Sequence, residues 1–291
     1  MSQKSPAQFF QKYSRWIVLS IFLCANIFIW SAVLVADRHG ELTVAFLDVG
    51  QGDSIYIEAP NGNQLLIDGG GTNQVLRALG KVMPFYDRSL DVVLATHADQ
   101  DHVGGLPAVM ERFNVDNVIT TENTSSTSAY GAFENIIKTK NIHRVLARTG
   151  EKIILDRGVL FEILSPNQNT KDWETNTSSI VARLSYGDES FLFTGDSPIS
   201  IEKYLVGKDG ANLHSTVLKL GHHGSKTSNS REFLSAVDPS YAVISAGLNN
   251  KYGHPSKETI SLLDELKIPH LSTIDSGTII FETDGTDLRV N

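Results

Sequence analysis

The sequence predicts a single α+β domain with two layers of sheet, set behind one uncharged segment long enough to cross a bilayer. Three observations carry this. Residues 16–36 read WIVLSIFLCANIFIWSAVLVA, without a charge. From Glu41 onward, short apolar runs closed by turn residues crowd the first part of the chain, and helical stretches separate the later ones. No long linker or internal repeat interrupts this part, and its polar stretches ENTSSTS (122–128) and NQNTKDWETNTS (167–178) are short loops. Sandwiched sheets flanked by helices account for that order.

The apolar run has about the 20 residues that span a bilayer as a helix. Lys4, Lys12 and Arg15 precede it and only Arg38 follows closely. The positive-inside bias therefore places residues 1–15 in the cytoplasm, 16–36 in the membrane, and the domain 41–291 outside. A signal peptide cut before Asp37 is the competing reading. The run is long for a signal segment, which favours an uncleaved anchor. It has no polar face, as a buried core helix would. The sole cysteine, Cys24, lies inside it, so the domain 41–291 has no disulfide and no thiolate metal ligand.

Within the domain, LTVAFLDV (42–49), SIYIEAP (54–60) and QLLIDGG (64–70) read as strands, the last two joined through Asn61-Gly62 as a hairpin. A helix follows near 73–82. LDVVLAT (90–96) is a buried strand and GGLPAVMERF (104–113) a short helix. VDNVITT, HRVLAR, EKIILD and VLFEILSP continue as strands, and residues 178–196 form a hairpin turning at Gly187-Asp188. STVLKLGHHGS (215–225), YAVISAG (241–247) and GTIIFETDG (277–285) are further strands, with helices near 230–237 and 256–267.

The 291 residues, 41% of them apolar, suffice for one sizeable core or two small ones. The net charge is −8, and residues 1–40 contribute +3 (Lys4, Lys12, Arg15 and Arg38 against Asp37), so the domain carries −11. Such a domain is a poor non-specific binder of nucleic acid. Chemistry on nucleic acid would need a local basic groove or metal ions.

The stretch ATHADQDHVGG (95–105) concentrates His97, Asp99, Asp101 and His102 on a turn after a buried strand. Imidazole and carboxylate suit Zn²⁺ or Mn²⁺. Four such groups are too many for one tetrahedral ion that also takes other protein ligands, which suggests a pair of ions. The competing reading is a solvated acidic turn before a helix, where aspartates are common as caps. Three other apolar runs also deliver ionisable residues at their ends: Asp68 in LLIDGG, Asp196 in FLFTGD, and His222-His223 in LKLGHHGS. Strand ends on one edge of a sheet line a common crevice.

The ordered series DGG, T-H-x-D-x-D-H-x-G-G, F-T-G-D and L-K-x-G-H-H-G-S resembles the metallo-β-lactamase superfamily from about residue 42 to 285. That resemblance implies an αββα sandwich with a binuclear metal site on one edge, and hydrolysis by a metal-bound hydroxide. The second histidine of the family's H-x-H-x-D-H is here Asp99. The family's third-motif histidine has no counterpart between His143 and His214, where NTSSIV (176–181) stands. With FLDVGQGDSIYIEAPNG (46–62), GHHGSKTS (221–228) and NNKYGHPS (249–256), these departures resemble one branch, the hydrolase domain of ComEC-type DNA-internalisation competence proteins. The multi-pass channel region of such proteins is not in this sequence.

The resemblance implies roles residue by residue. His97 and Asp99 hold one metal; Asp101, His102 and one of the tandem histidines, His223 by preference, hold the other; Asp196 bridges them. His222 then serves proton transfer, and Asp68 orients a ligand. Asn176 or Ser179 stands where the missing histidine would be, and the oxygen-rich set moves preference from Zn²⁺ toward Mn²⁺. Gly224-Ser225-Lys226-Thr227 offers backbone N–H groups, a hydroxyl and a cation for a phosphate oxyanion, although its spacing is not that of a P-loop. Ser225, Lys226 and Asn176 are thus candidate substrate contacts, and His254 is a candidate for transition-state stabilisation. His39, His143, His214 and His270 have no companions.

The expected function is a membrane-anchored, extracytoplasmic phosphodiesterase or nuclease with two divalent ions and no small organic cofactor. Its expected substrate is a phosphodiester such as single-stranded DNA. A cell-envelope phosphodiesterase (teichoic acid or phosphorylcholine) is the second reading, and a non-catalytic DNA- or partner-binding module the third. β-Lactam hydrolysis rests on superfamily analogy alone.

Overall fold

The structure, a computed structural model, describes residues 6–36 and 40–291. The chain forms two compact units, Met1–Gly40 and Glu41–Asn291. In the first, α1 (Pro6–Ala36) is a 31-residue helix. At 1.5 Å per residue it is about 46 Å long, more than the ~30 Å hydrocarbon core of a bilayer. It starts ten residues before the apolar run, because Pro6 is suited to a first helical position and the residues between are helix-compatible. The window Tyr13–Trp30 is apolar enough to cross a membrane and lies unburied. The cleavage point before Asp37, His39 and the first five residues lie outside the described residues.

The second unit begins with β1 (Leu42–Phe46), β2 (Ile55–Glu58), β3 (Gln64–Ile67), α2 (Gln74–Val82), β4 (Ser89–Leu94), α3 (Gln100–Val103), α4 (Leu106–Arg112), β5 (Asn114–Thr120), α5 (Ser128–Lys140) and β6 (His143–Leu146). It continues with β7 (Lys152–Asp156), β8 (Val159–Ser165), β9 (Val181–Tyr186), β10 (Glu189–Phe193), α6 (Ile199–Asp209), β11 (Val217–Lys219), α7 (Arg231–Val237) and β12 (Tyr241–Ile244). α8 (Lys257–Leu266), β13 (His270–Ser272), α9 (Thr273–Ser276), β14 (Ile279–Thr283) and β15 (Leu288–Val290) complete it. One sheet has the order β15-β14-β1-β2-β3-β4-β5-β6, the other β13-β12-β11-β10-β9-β8-β7.

Period-two alternation assigns each strand two faces. Val44 and Phe46 of β1 and Phe281 of β14 face the other sheet and join its Phe161, Phe191 and Phe193 in one buried cluster. Phe46 meets Phe281 edge-on and Phe193 at a tilt, 5.9 and 6.2 Å away between centroids. Burying each such side chain is worth about 1.5–3 kcal/mol. Ala45, between them in sequence, turns outward and joins Leu79, Val109 and Phe133 of α2, α4 and α5. On the far side, Leu192 and Leu218 join Leu205, Phe233 and Leu263 of α6, α7 and α8. The result is the expected sandwich, with helices outside both sheets.

Four helices were not expected from sequence: the single turns α3 and α9, and the longer α5 and α6. α5 follows the polar loop ENTSSTS. Thr127 caps it by accepting from the Tyr130 N–H, and its apolar face is Tyr130, Phe133 and Ile137. α6 follows Pro198 and buries Ile201 and Leu205. The three-residue strands β13 and β15 are edge strands, too short to show an alternation.

Strand direction positions the site. β3, β4 and β5 are parallel in the first sheet, and β10, β11 and β12 are parallel in the second. β1 runs with β3, since each pairs antiparallel with β2. The loops after β1, β3, β4, β10, β11 and β12 therefore leave carboxyl ends of strands, where ligands bind in open α/β sheets.

Candidate metal centre

Three turns interlock before any side chain is placed. Gly52, in the loop after β1, has φ +122°, and a Cβ there would lie 2.0 Å from the Asp101 carbonyl oxygen. Only glycine permits this approach. It lets the Asp53 N–H donate to Asp101 O (3.2 Å), while Gly70 donates to Asp53 O (2.7 Å) and Gly69 to His102 O (2.7 Å). The GQGD, DGG and DxDH turns are thus one unit.

On this unit the imidazoles are fixed through Nδ1. Asp68 Oδ2 lies 2.7 Å from His102 Nδ1. The same carboxylate accepts from the Thr96 hydroxyl (2.7 Å) and the Thr96 N–H (2.8 Å). With its proton given to Asp68, the Thr96 hydroxyl can only accept from His97 Nδ1, 3.0 Å away. His223 Nδ1 faces Ser245 O at 2.9 Å and Asp53 Oδ1 at 3.2 Å. In each ring an acceptor at Nδ1 leaves the Nε2 lone pair directed the other way.

These Nε2 atoms converge on Asp196, in the turn after β10. Its oxygens lie 3.9 Å from His97, 3.3 Å from His102, 3.6 Å from His222 and 3.7 Å from His223. Nε2 of His97, His102 and His223 and Oδ1 of Asp196 are buried without a hydrogen-bond partner. Each such atom costs about 1–3 kcal/mol if nothing satisfies it. One ligand atom each from His97, His102 and Asp196 lies within 4.8 Å of the others, and so do those of Asp101, His102 and His223. Nitrogen and carboxylate donors at such spacing fit divalent cations.

The remaining expected residues are near but less enclosed. Asp99 Oδ2 lies 3.7 Å from His97 Nε2, and its side chain is 42% exposed. In an extended backbone the side chains at 222 and 223 would point apart. Both residues are instead left-handed (φ +49° and +55°), so both rings reach the same Asp196 oxygen. His222 Nδ1 sits 3.5 Å from Asn176 Nδ2 and 3.3 Å from Thr227 Oγ1. His254 packs its ring 5.3 Å from that of His222. Ser179 accepts from the Asp196 N–H, holding that turn (3.2 Å). In the stretch 224–227, the Ser225 N–H bonds to His222 O, and the Thr227 N–H to Ser225 Oγ. Those donors serve the turn, Ser225 is buried, and Lys226 and Thr227 are the exposed members. His143 bonds to Asn117 and His214 to Val237 O, away from this edge.

Two residues were missed. Asp53 and Lys219 are buried together, with Nζ 2.6 Å from Oδ2. Asp53 stands in the quoted GQGDS, and Lys219 is a charge at the end of an apolar strand. The reasoning that singled out Asp68, a buried charge needing a partner, applies to both.

Electrostatics match a cation-shaped gap. Burial raises the Asp196 carboxyl, but His102 and His223 outweigh it and hold it well below the usual range. Burial lowers His223, yet Asp196 and Asp53 prevail and raise it to about 9; His102 is likewise raised, by Asp196 and Asp68. Burial and the neighbouring His102 push His97 down to about 3. Protons on His102 and His223 thus stand where a cation's charge would.

A four-layer αββα sandwich with this His/Asp cluster at the strand ends defines a metallo-hydrolase class. Residues 47–247 match the Metallo-beta-lactamase superfamily, and the chain belongs to it. It is 30% identical over 283 residues to ComE operon protein 3 of Bacillus subtilis (strain 168), and 35% identical over 265 residues to Competence protein ComA of Neisseria gonorrhoeae. These matches cover 91% and 87% of the chain, but the chain spans only 36% and 35% of those relatives. The structure of Igni18, a metallo hydrolase from the archaeon Ignicoccus hospitalis, superimposes with a TM-score of 0.55 at 17% identity, over 84% of this chain and 99% of that one.

Asp196→Ala should leave the imidazoles without their shared anion. Elemental analysis of the purified variant is expected to show most bound metal lost; unchanged content would refute Asp196 as a ligand. Because His223 is raised to about 9, a cation binding at pH 7 must displace its proton. Metal affinity should therefore rise with pH from 7 through about 9, since His102, raised as well, must also shed its proton to bind. Calorimetric titration at pH 7 in buffers of different ionisation enthalpy should register net proton release.

Proposed function

We propose that the chain is a metal-dependent phosphodiesterase acting on nucleic acid, anchored by α1 with residues 41–291 outside the cytoplasm. The observation that carries the substrate class is a groove of about 490 Å³ bordered by Gln51, Gln100, Asp101, Asn250, Lys251 and Tyr252. Through Gly71 and Thr72 it adjoins a second depression, of about 640 Å³, that includes Arg77. An open track past the cluster, with Lys251 and Arg77 along it, suits a polymer backbone better than a closed pocket does. The competence relatives support the same reading.

On this reading His97 and Asp99 would hold one ion and Asp101, His102 and His223 the other, with Asp196 a candidate ligand to both. Such ions would supply Lewis acidity and the hydrolytic nucleophile. The chain's own residues do the rest. Asp68 keeps the His102 proton on Nδ1. Hydrolysis breaks a phosphorus–oxygen ester bond, and the departing oxygen needs a proton. His222, its side chain 26% exposed beside Asp196, is placed to carry it. His254, Lys226 and Asn176 border the same edge and meet the substrate.

Purified protein with Mn²⁺ or Zn²⁺ should hydrolyse single-stranded DNA and bis-p-nitrophenyl phosphate. His223→Ala should lose metal and recover partly when Mn²⁺ is added. His222→Ala should keep its metal and slow by about 10²–10⁴-fold without rescue. No turnover of either substrate by metal-loaded protein defeats the proposal, and turnover confined to choline phosphodiesters moves the substrate to the cell envelope.

The topology follows from Lys4, Lys12 and Arg15 ahead of the apolar run 16–36. A reporter active only in the cytoplasm, fused after residue 291, should be silent; strong signal reverses the orientation.

A further inference from the structure

We infer that Asp53 and Lys219 are a positioning pair that holds the His223 ring in place against Asp101 for cation binding. The inference rests on the metal reading above. Asp53, Lys219 and His223 are each 1% exposed. Lys219 Nζ reaches Asp53 Oδ2 at 2.6 Å and Leu220 O at 2.8 Å, while Asp53 Oδ1 stands 3.2 Å from His223 Nδ1. The other neighbour of Nδ1, Ser245 O, is an acceptor too. Ser245 O takes the Nδ1 proton, while Asp53 Oδ1, which makes no hydrogen bond, sets its charge against the same edge of the ring, and Nε2 is left to face Asp101 and Asp196, at 3.3 and 3.7 Å.

The arrangement parallels Asp68 and His102 but solves a different problem. Asp68 is satisfied by the Thr96 hydroxyl and N–H in addition to His102. Asp53 is instead held by a cation from the opposite sheet. Lys219 ends β11, and Asp53 is tied to the Asp101 turn through its own N–H. The pair therefore registers His223, carried by the second sheet, against Asp101, carried by the first. Stability alone does not call for it, because buried ion pairs are often replaced by apolar residues at no cost, whereas removing one partner strands a charge. Orientation of a ligand histidine by a carboxylate does require the charge, and its loss weakens metal binding by about 10–100-fold.

The test compares Asp53→Asn, Lys219→Met and the double variant in the full chain. Two quantities are read: unfolding midpoint and Mn²⁺ affinity by titration. Each single variant should lower the midpoint. The double variant should regain it, yet bind Mn²⁺ about 10–100-fold more weakly at one of its sites. A simple structural pair would restore both together, so wild-type Mn²⁺ affinity in the double variant overturns the inference. If the double variant does not fold, Asp53→Asn below its own midpoint decides: Mn²⁺ affinity about 10–100-fold weaker at one site supports the pair's role, and wild-type affinity overturns it. Wild-type protein that binds neither ion removes the metal reading itself, and this inference with it.

Discussion

Asp196 lies within 3.9 Å of four imidazole nitrogens, and the edge of the sandwich is organised around that crowding. One buried carboxylate does not need four histidines, and four histidines facing one carboxylate leave lone pairs with nothing to bind. Water-sized gaps between such groups are expensive in a protein interior. The packing is stable because each ring is held from behind. Asp68 and Thr96 hold His102 and His97, and Ser245 with Asp53 holds His223. The cluster has the donor set of a metal site, and its preorganisation is a property of the polypeptide.

That preorganisation includes backbone strain. Two successive residues, His222 and His223, are left-handed, a conformation costing about 1–3 kcal/mol for each non-glycine residue. The loop that contains them is braced against relaxing. Asn229 accepts from the Gly221 N–H and donates to the carbonyls of Gly221 and Ser225. Glu202, buried on α6, accepts in turn from the N–H groups of Asn229 and Ser230. A helix with no ligand of its own thereby holds the tandem histidines in place.

The same geometry explains what could be read from the sequence. Charges at the ends of apolar runs marked Asp68, His97, Asp196 and His223, because a strand end fixes where a side chain goes and burial makes the charge conspicuous. The order of those runs was enough for the sandwich. α5 was hidden because its Thr127 cap lies in a Ser/Thr-rich stretch that also reads as a loop. The convergence of His222 with His223 was not legible either. It depends on positive φ at two residues that ordinarily avoid it, imposed by Asn229 and Glu202 from elsewhere in the chain. Asp53 and Lys219 are 166 positions apart and mean little singly; only the closing of the two sheets makes them partners.

Charge is the remaining tension in the proposed function. A domain at −11 repels a polyanion, and five of its carboxylates (Asp53, Asp68, Asp99, Asp101 and Asp196) lie at the place where a phosphate would react. Lys219 offsets one of them from within. Lys251, Arg77 and Lys226 are exposed near the site but are few. Two divalent ions would bring four positive charges to that one edge, cancelling its negative charge while the rest of the surface stayed acidic. Attraction of a phosphodiester would then depend on the loaded site rather than on a general basic surface. That favours slow, local engagement of a strand already delivered to the domain over capture of free nucleic acid from solution.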